Sequence, residues 1–434
     1  MNTYPAYKHS GEQWLGQIPE HWEMKPGLAV FRENKEKNSL GQENTVLSLS
    51  YGKIIVKENK NEGLVPAEYT SYQIVRPDYI IIRCTDLQND KVSLRTGLVK
   101  DDGIITSAYL GLIVKADNPA YIHYFLHALD ITKEIYRYGS GLRQSLSWVD
   151  FKRLNVLLPP IDEQEKIVAY LNEQTEKIDQ AIERQQKMID LLEERKQIII
   201  QQAVTKGLNP NAPLKDSGIE WIGAIPESWR KKRFKYLFKT STGITFTKAQ
   251  LESEGNPVLS YGQVHSKLNK SGTLNEELIK CIPNSLTAGK DNCLVYNGDF
   301  IFADTSEDFE GCGNNIYVDT EYPVYAGYHT IIARKQNDEY GKYLGYLFAS
   351  KAWRGQVRTR VNGVKVYSIT QGILNGSWVI LPPKAEQIAI AEYLDKVIGV
   401  IDKEEAHRNR LISLLRERKQ IIVNEVVTGK IKVS

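Results

Sequence analysis

His123 and His127 stand four residues apart, a spacing that brings two imidazoles onto one face of a helix and could begin a metal site. No H-E-x-x-H arrangement surrounds them and no third ligand type accompanies them, so the pair reads as structural. Pro77-Asp78 could open a nuclease-type set, but no acidic-x-Lys triplet follows it within fifty residues. Gly139-Ser140-Gly141-Leu142-Arg143-Gln144 starts like a dinucleotide-binding loop, yet it lacks the third glycine and the strand–loop–helix setting that such a loop needs. There is no phosphate loop and no G-x-S-x-G elbow. The four cysteines, Cys84, Cys281, Cys293 and Cys312, form no C-x-x-C pair and fit reduced thiols in a cytoplasm. The expectation is a chain with no catalytic residue, no metal site and no cofactor of its own.

The remaining chemistry is positive charge. A net charge of +3 is too small to announce a partner, so its distribution must carry the argument. Residues 341–385 hold no Asp or Glu, while Lys342, Lys351, Arg354, Arg358, Arg360, Lys365 and Lys384 give +7 beside Trp353, Tyr367 and a turn at Asn362-Gly363. Arg137-Tyr138-Gly139-Ser140-Gly141-Leu142-Arg143-Gln144-Ser145 is likewise free of acid. Arg and Gln pair bidentately with guanine and adenine edges, and a glycine-rich backbone can approach a groove closely. Arg230-Lys231-Lys232-Arg233-Phe234-Lys235 suits phosphate contact. The expected DNA-facing residues are therefore Lys53, Arg83, Arg95, Arg137, Arg143, Gln144 and Ser145 in one half. In the other they are Arg230, Lys232, Gln263, His265, Arg354, Arg358, Arg360, Lys365 and Tyr367.

The elements that must position these residues are written twice. Ser10-Gly-Glu-Gln-Trp14-Leu-Gly16-Gln-Ile18-Pro19-Glu-His-Trp22 recurs 207 residues later as Ser217-Gly-Ile-Glu-Trp221-Ile-Gly223-Ala-Ile225-Pro226-Glu-Ser-Trp229. Leu158-Pro159-Pro160 with Glu163-Gln164 recurs 223 residues later as Leu381-Pro382-Pro383 with Glu386-Gln387, so the second middle segment is longer by sixteen residues. After each Leu-Pro-Pro a heptad pattern runs in steps of 4 and 3. Its first copy takes Ile167, Leu171, Gln174, Ile178, Ala181, Gln185, Met188, Leu192, Arg195 and Ile199. The second takes Ile390, Leu394, Val397, Ile401, Glu404, Arg408, Leu411, Leu415, Arg418 and Ile422. A lone striped rod is marginal in water, so each helix needs a partner, and the other copy is at hand. The middles mix short β-rich runs (79–82, 110–114, 328–332) with turn clusters and one helix each, near 120–136 and 340–357.

The paired motifs, in this order and spacing, closely resemble the specificity subunits of type I restriction-modification systems over essentially the whole chain. The expected fold is α+β: two α/β target recognition domains in tandem, each followed by a long helix, the two helices pairing as an antiparallel coiled coil. The divisions are 1–160, 161–206, 207–383 and 384–434. The resemblance implies a chain that reads an asymmetric bipartite site on double-stranded DNA. It also implies two methyltransferase subunits and restriction subunits as partners, with S-adenosylmethionine, ATP and Mg sites in those partners. A non-DNA-binding coiled-coil scaffold with two protein-binding heads is the rival reading. No apolar run approaches the roughly eighteen residues of a membrane span, and MNTYPAYKHSGEQW has no secretory character. The expected location is the cytoplasm.

Overall fold

The computed structural model describes residues 3–57, 68–85, 87, 94–139, 145–269, 274–336, 338–363 and 365–433. Two compact units emerge: Met1–Gln186 together with Asn409–Ser434, and Lys187–Arg408. Each holds one middle segment, the start of one long helix and the end of the other. The long helices are Ile161–Lys206, here the central helix, and Lys384–Val427, the distal helix.

In the first unit Tyr7–His9 and Gln17–Pro19 form a hairpin, and Glu23–Pro26 pairs with Asn155–Leu158. A four-stranded antiparallel sheet takes the order Phe31–Glu33, Leu110–Val114, Ile80–Ile82, Thr96–Leu98. Helix Pro119–Ile131 starts where Asn118 accepts from the amides of Ala120 and Tyr121 and Pro119 takes the first position, which has no amide partner to lose. Its Tyr121, Ile122, Phe125, Leu126 and Leu129 are buried with Ile80, Ile82 and Leu112 of the sheet.

The second unit repeats this plan with a hairpin (Leu214–Asp216, Ala224–Pro226) and a pairing of Arg230–Arg233 with Trp378–Leu381. Its four-stranded sheet runs Phe238–Thr242, Thr330–Lys335, Phe300–Ala303, Asn315–Tyr317, and a second four-stranded sheet is built on Asn256–Leu259 and Val324–Ala326, where the first unit has two two-stranded pairings, Leu47–Ser50 with Lys53–Val56 and Gln73–Val75 with Gly103–Ile105. The single helix expected near 340–357 is two, Gly341–Ala349 and Lys351–Arg358. They break at Ser350, whose hydroxyl accepts from the Trp353 amide and caps the second.

The repeated motifs are hydrogen-bonding partners. Trp22, buried, donates its indole N–H to Glu163 at 3.1 Å, and Trp229 donates to Glu386 at 3.0 Å. Below them Gln164 accepts from the Asn118 amide (2.9 Å) and donates to the Pro159 carbonyl. Gln387 accepts from the Tyr340 amide (2.8 Å) and donates to the Pro382 carbonyl. Tyr124 reaches Asn172 at 2.8 Å, as Tyr346 reaches Asp395 at 2.7 Å. Each helix thus begins tied to the motif before it and to the middle it follows.

Further along, Lys419 pairs with Asp179 at 2.6 Å in the first unit and Lys196 with Asp402 at 2.7 Å in the second. Since Asp402 and Lys419 lie 223 residues beyond Asp179 and Lys196, this is one ion pair made twice. Ile167 and Leu171 share a core with Val423, Val426 and Val427, while Ile200, Ala203 and Val204 share one with Ile390, Ala391, Leu394 and Ile398. Gly207 and Gly429 end the helices at φ +74° and +73°. A Cβ would lie 2.7 Å from Glu386 at the first and 2.3 Å from Pro19 at the second, so both positions need glycine.

The heptad phase holds at the helix starts and then slips. Ile167, Leu171, Ile178, Ile390, Leu394 and Ile401 are buried, but Leu192, Ile199, Val397, Leu411, Leu415 and Ile422 are only half-buried, and Met188, Arg195 and Arg418 are exposed. The fully buried neighbours are Ile200 and Val423. A straight helix drifts about 20° per heptad against a 3.5-residue repeat, which amounts to roughly one residue over this length.

Removing the Glu386 carboxylate should leave the Trp229 N–H buried without an acceptor. Glu386→Ala is expected to lower unfolding stability by about 1–3 kcal/mol in a urea titration. No change in midpoint would mean that packing alone seats the motif.

Candidate nucleic-acid interface

In the second unit an open cleft of about 870 Å³ is lined by Lys231, Lys232, Arg233, Lys235, Tyr236, Arg360, Gly372, Asn375, Gly376 and Trp378. Strand pairing builds it. Arg233 lies opposite Trp378 and Lys231 opposite Ile380, so the two alternate residues share a strand face. Arg233 stacks its guanidinium 3.8 Å from the Trp378 ring and Lys231 lies 5.0 Å from it, positions in which the ring quadrupole attracts a cation. Arg233 also donates to the Gly376 carbonyl and Lys231 to that of Ser217. Tyr236, 67% exposed, carries Lys235 over its ring at 5.0 Å. Arg360 closes the other side: a Cβ on Gly376 would come within 2.8 Å of its guanidinium, so glycine there lets the arginine lie against the backbone. The lining holds five cations and no carboxylate. Such a surface suits a polyanion, with aromatic planes beside the charges.

The corresponding strand of the first unit reads Glu23-Met24-Lys25-Pro26, followed by Gly27 and Leu28. Asn155 stands in the place of Trp378. The framework is shared and the cationic surface is not.

The cleft joins two of the stretches singled out by charge, 230–235 and Arg360. Other expected contacts sit elsewhere. Arg95 is a correction: it is fully buried, donating to the Thr85 carbonyl (2.8 Å), the Arg83 carbonyl and the Tyr136 hydroxyl (3.1 Å). Arg83 is half-buried along the same strand edge. Gln263, half-buried, accepts from the Ser260 amide in a capping box, and His265 lies between the Thr305 carbonyl (2.9 Å) and Asn314 (3.0 Å). Composition cannot distinguish such anchoring polar groups from reading ones.

Arg230 pairs with the buried Glu339 at 2.7 Å, Arg358 with Glu310 at 2.8 Å, Arg137 with Glu134 at 3.1 Å and Lys53 with Asp179 at 3.5 Å. Arg354 donates to the Phe348 carbonyl, and burial lowers its guanidinium to about 10. Tyr367 meets Phe309 edge-on at 5.6 Å, Lys365 is exposed and Ser145 is half-buried. Arg143 and Gln144 lie outside the described residues. Tyr236 and Trp378 went unnoticed in the sequence. A tryptophan 145 residues from Arg233 gives no local sign of the strand pairing that joins them.

His123 and His127 stack 5.9 Å apart in the first unit, and burial pushes them down to about 4 and about 3. No cluster of three His, Cys, Asp or Glu that could hold a metal occurs among the described residues. The four cysteines are unpaired thiols, and burial pushes Cys84 up to about 12.

Residues 226–413 match the family model described as the type I restriction modification DNA specificity domain. A protein of Methanocaldococcus jannaschii named as the type I restriction enzyme MjaX specificity subunit is 25% identical over 449 residues, covering 96% of each chain. The MjaVIII specificity subunit of the same organism is 22% identical over 286 residues, 65% of this chain and 63% of its own length. A solved chain, described with complex assembly and conformational transition of the type I R-M system, superposes with a TM-score of 0.66. It is 16% identical and covers 95% of this chain and 99% of its own, a likeness of fold. No helix among the described residues is long and apolar enough to cross a membrane.

The depressed histidines give a pH signature. Their folded pKa lies below the ordinary 6.5, so the unfolded chain binds more protons as pH falls. Stability should be intact above about pH 6.5 and decline progressively toward pH 4. Comparing melting temperatures across that window, the wild type should fall more steeply than His123→Phe/His127→Leu. Parallel curves would contradict the burial of the pair.

Proposed function

We propose that this chain, a relative of the type I restriction-modification specificity subunits, is the subunit that reads DNA for such a complex. Its target is an asymmetric bipartite site, one half per unit. Two modification subunits and the restriction subunits dock on it. S-adenosylmethionine, ATP and Mg chemistry belongs to those partners, and the complex works in the cytoplasm. The two long helices form the antiparallel coiled coil that spaces the readers, a reading supported by the twice-made Asp–Lys pair.

One observation carries the proposal. The same motif-to-helix bonds recur in both units, while the surface that they hold differs: five cations around Trp378 in one, a single cation, Lys25, among Met24, Pro26 and Leu28 in the other. A shared framework gives equivalent docking, and unlike surfaces give unlike half-sites. In the basic cleft Lys232, Lys235 and Arg360 meet phosphates, which orient the reader, and base edges are read beside it.

The cleft is tested by salt dependence. In the complex with the modification subunits, Lys232→Ala/Lys235→Ala/Arg360→Ala should reduce the slope of log affinity against log salt by about one per lost phosphate contact, uniformly across DNA sequences. An unchanged slope at unchanged affinity would remove the cleft from the DNA path. A wild-type complex without salt-dependent DNA affinity would favour a scaffold with two protein-binding heads.

A further inference from the structure

We infer that the hairpin Leu47–Val56 is a β-ribbon that enters the major groove and reads base edges for the first unit, with Tyr51 at its leading tip. Its strands, Leu47–Ser50 and Lys53–Val56, pair as far as Ser50 opposite Lys53, which leaves Tyr51 and Gly52 as a two-residue turn. Both lie in the left-handed region, at φ +47° and +78°. Such a turn matches the twist of its strands and favours Asn, Asp or Gly at its first position. Tyrosine there is strained. It is also 92% exposed, so packing within the chain does not offset the strain, whereas contact with a ligand does.

The tip is firmly mounted. Leu47 is buried with Val75, Ile81, Val99 and Ile105. Leu49 and Ile54 press on Gly97, where a Cβ would lie 2.7 and 2.9 Å from them. A Cβ on Gly52 would lie 3.1 Å from Leu94 and 3.7 Å from His127, so one of the stacked histidines lies under the turn. Tyr51 is therefore held outward before any ligand arrives, which lowers the ordering cost of binding.

Alternation sets Leu47, Leu49 and Ile54 on the face toward the body and Ser48, Ser50, Lys53 and Ile55 on the other. That outer face offers two hydroxyls, an ammonium whose side chain stays 71% exposed while reaching Asp179, and an isoleucine 46% exposed. Residues 44–57 hold no Asp or Glu to repel phosphates. Hydroxyls and lysine bond base edges, an apolar side chain meets the thymine methyl, and the major groove admits a two-stranded ribbon. In the second unit the same four letters, Leu259-Ser260-Tyr261-Gly262, run into the helix Tyr261–Val264, and Tyr261 is half-buried 4.7 Å from His265. One unit projects its tyrosine and the other tucks it in, as unlike half-sites require.

This inference rests on the reading of the chain as a DNA-reading subunit. The test is DNA binding by the full chain in complex with the modification subunit, on the site found by methylation mapping. The half-site of the first unit is the one that an exchange of residues 231–380 leaves unchanged. Tyr51→Ala should weaken binding to that site about tenfold and relax base preference in that half alone. Affinity for unrelated DNA and the salt slope should stay as in wild type, since no phosphate contact is lost. Tyr51→Asn should lose the same affinity while melting at or above the wild-type temperature, because asparagine suits the turn. A photoreactive p-azidophenylalanine at position 51 should crosslink to the same half-site. A folded Tyr51→Asn variant with wild-type affinity and preference would overturn the ribbon and leave the specificity reading intact. So would a crosslink to the other half-site or to the modification subunit instead. A wild-type complex with no sequence preference would overturn the specificity reading and the ribbon with it.

Discussion

A buried indole N–H must have an acceptor, and in this chain that acceptor is a glutamate at the first turn of a long helix. Trp22 with Glu163, and Trp229 with Glu386, join the segment before each middle to the helix after it. The glutamine beside each glutamate then binds the backbone where the middle's own helix begins. These bonds fix three things at once: the exit direction of the long helix, the position of the α/β body and the closure of the motif over both. Around so small a set, the middle can change its surface without disturbing its mounting. Breaking one partner leaves a desolvated polar group, so the arrangement is all-or-none within each unit.

Most of this framework is legible in the sequence because it is written twice. The Ser-Gly-x-x-Trp and Leu-Pro-Pro…Glu-Gln motifs mark their own positions by repeating, and the helix starts follow from them. Pairing was not legible at the level of bonds: nothing in the spelling says that Trp229 donates to Glu386 or that Asp179 meets Lys419. A strict heptad count runs to Ile199 and Ile422, whereas the 3.6-residue turn moves the buried side to Ile200 and Val423. Met188 and Arg195, which a strict heptad count places in the buried seam, are therefore exposed.

The surface that faces a ligand was harder to read for a different reason. Arginine and glutamine serve equally as readers and as internal anchors, and composition carries no inward or outward label. Arg95, Gln263 and His265 turned out to hold loops together. The basic cluster 230–235 did reach a cleft, because alternate residues of an extended strand share a face. Its aromatic floor, Trp378, arrives from the far end of the middle through strand pairing that no local pattern announces.

The central claim is that a common framework mounts two independent readers. Its most direct test exchanges residues 231–380 for the corresponding segment of a related specificity subunit and maps methylated sites across the genome of cells carrying the hybrid and its modification subunit. The account predicts a new bipartite site in which one half changes and the other half is that of the parent. An assembled, active hybrid that alters both halves, or neither, would contradict it.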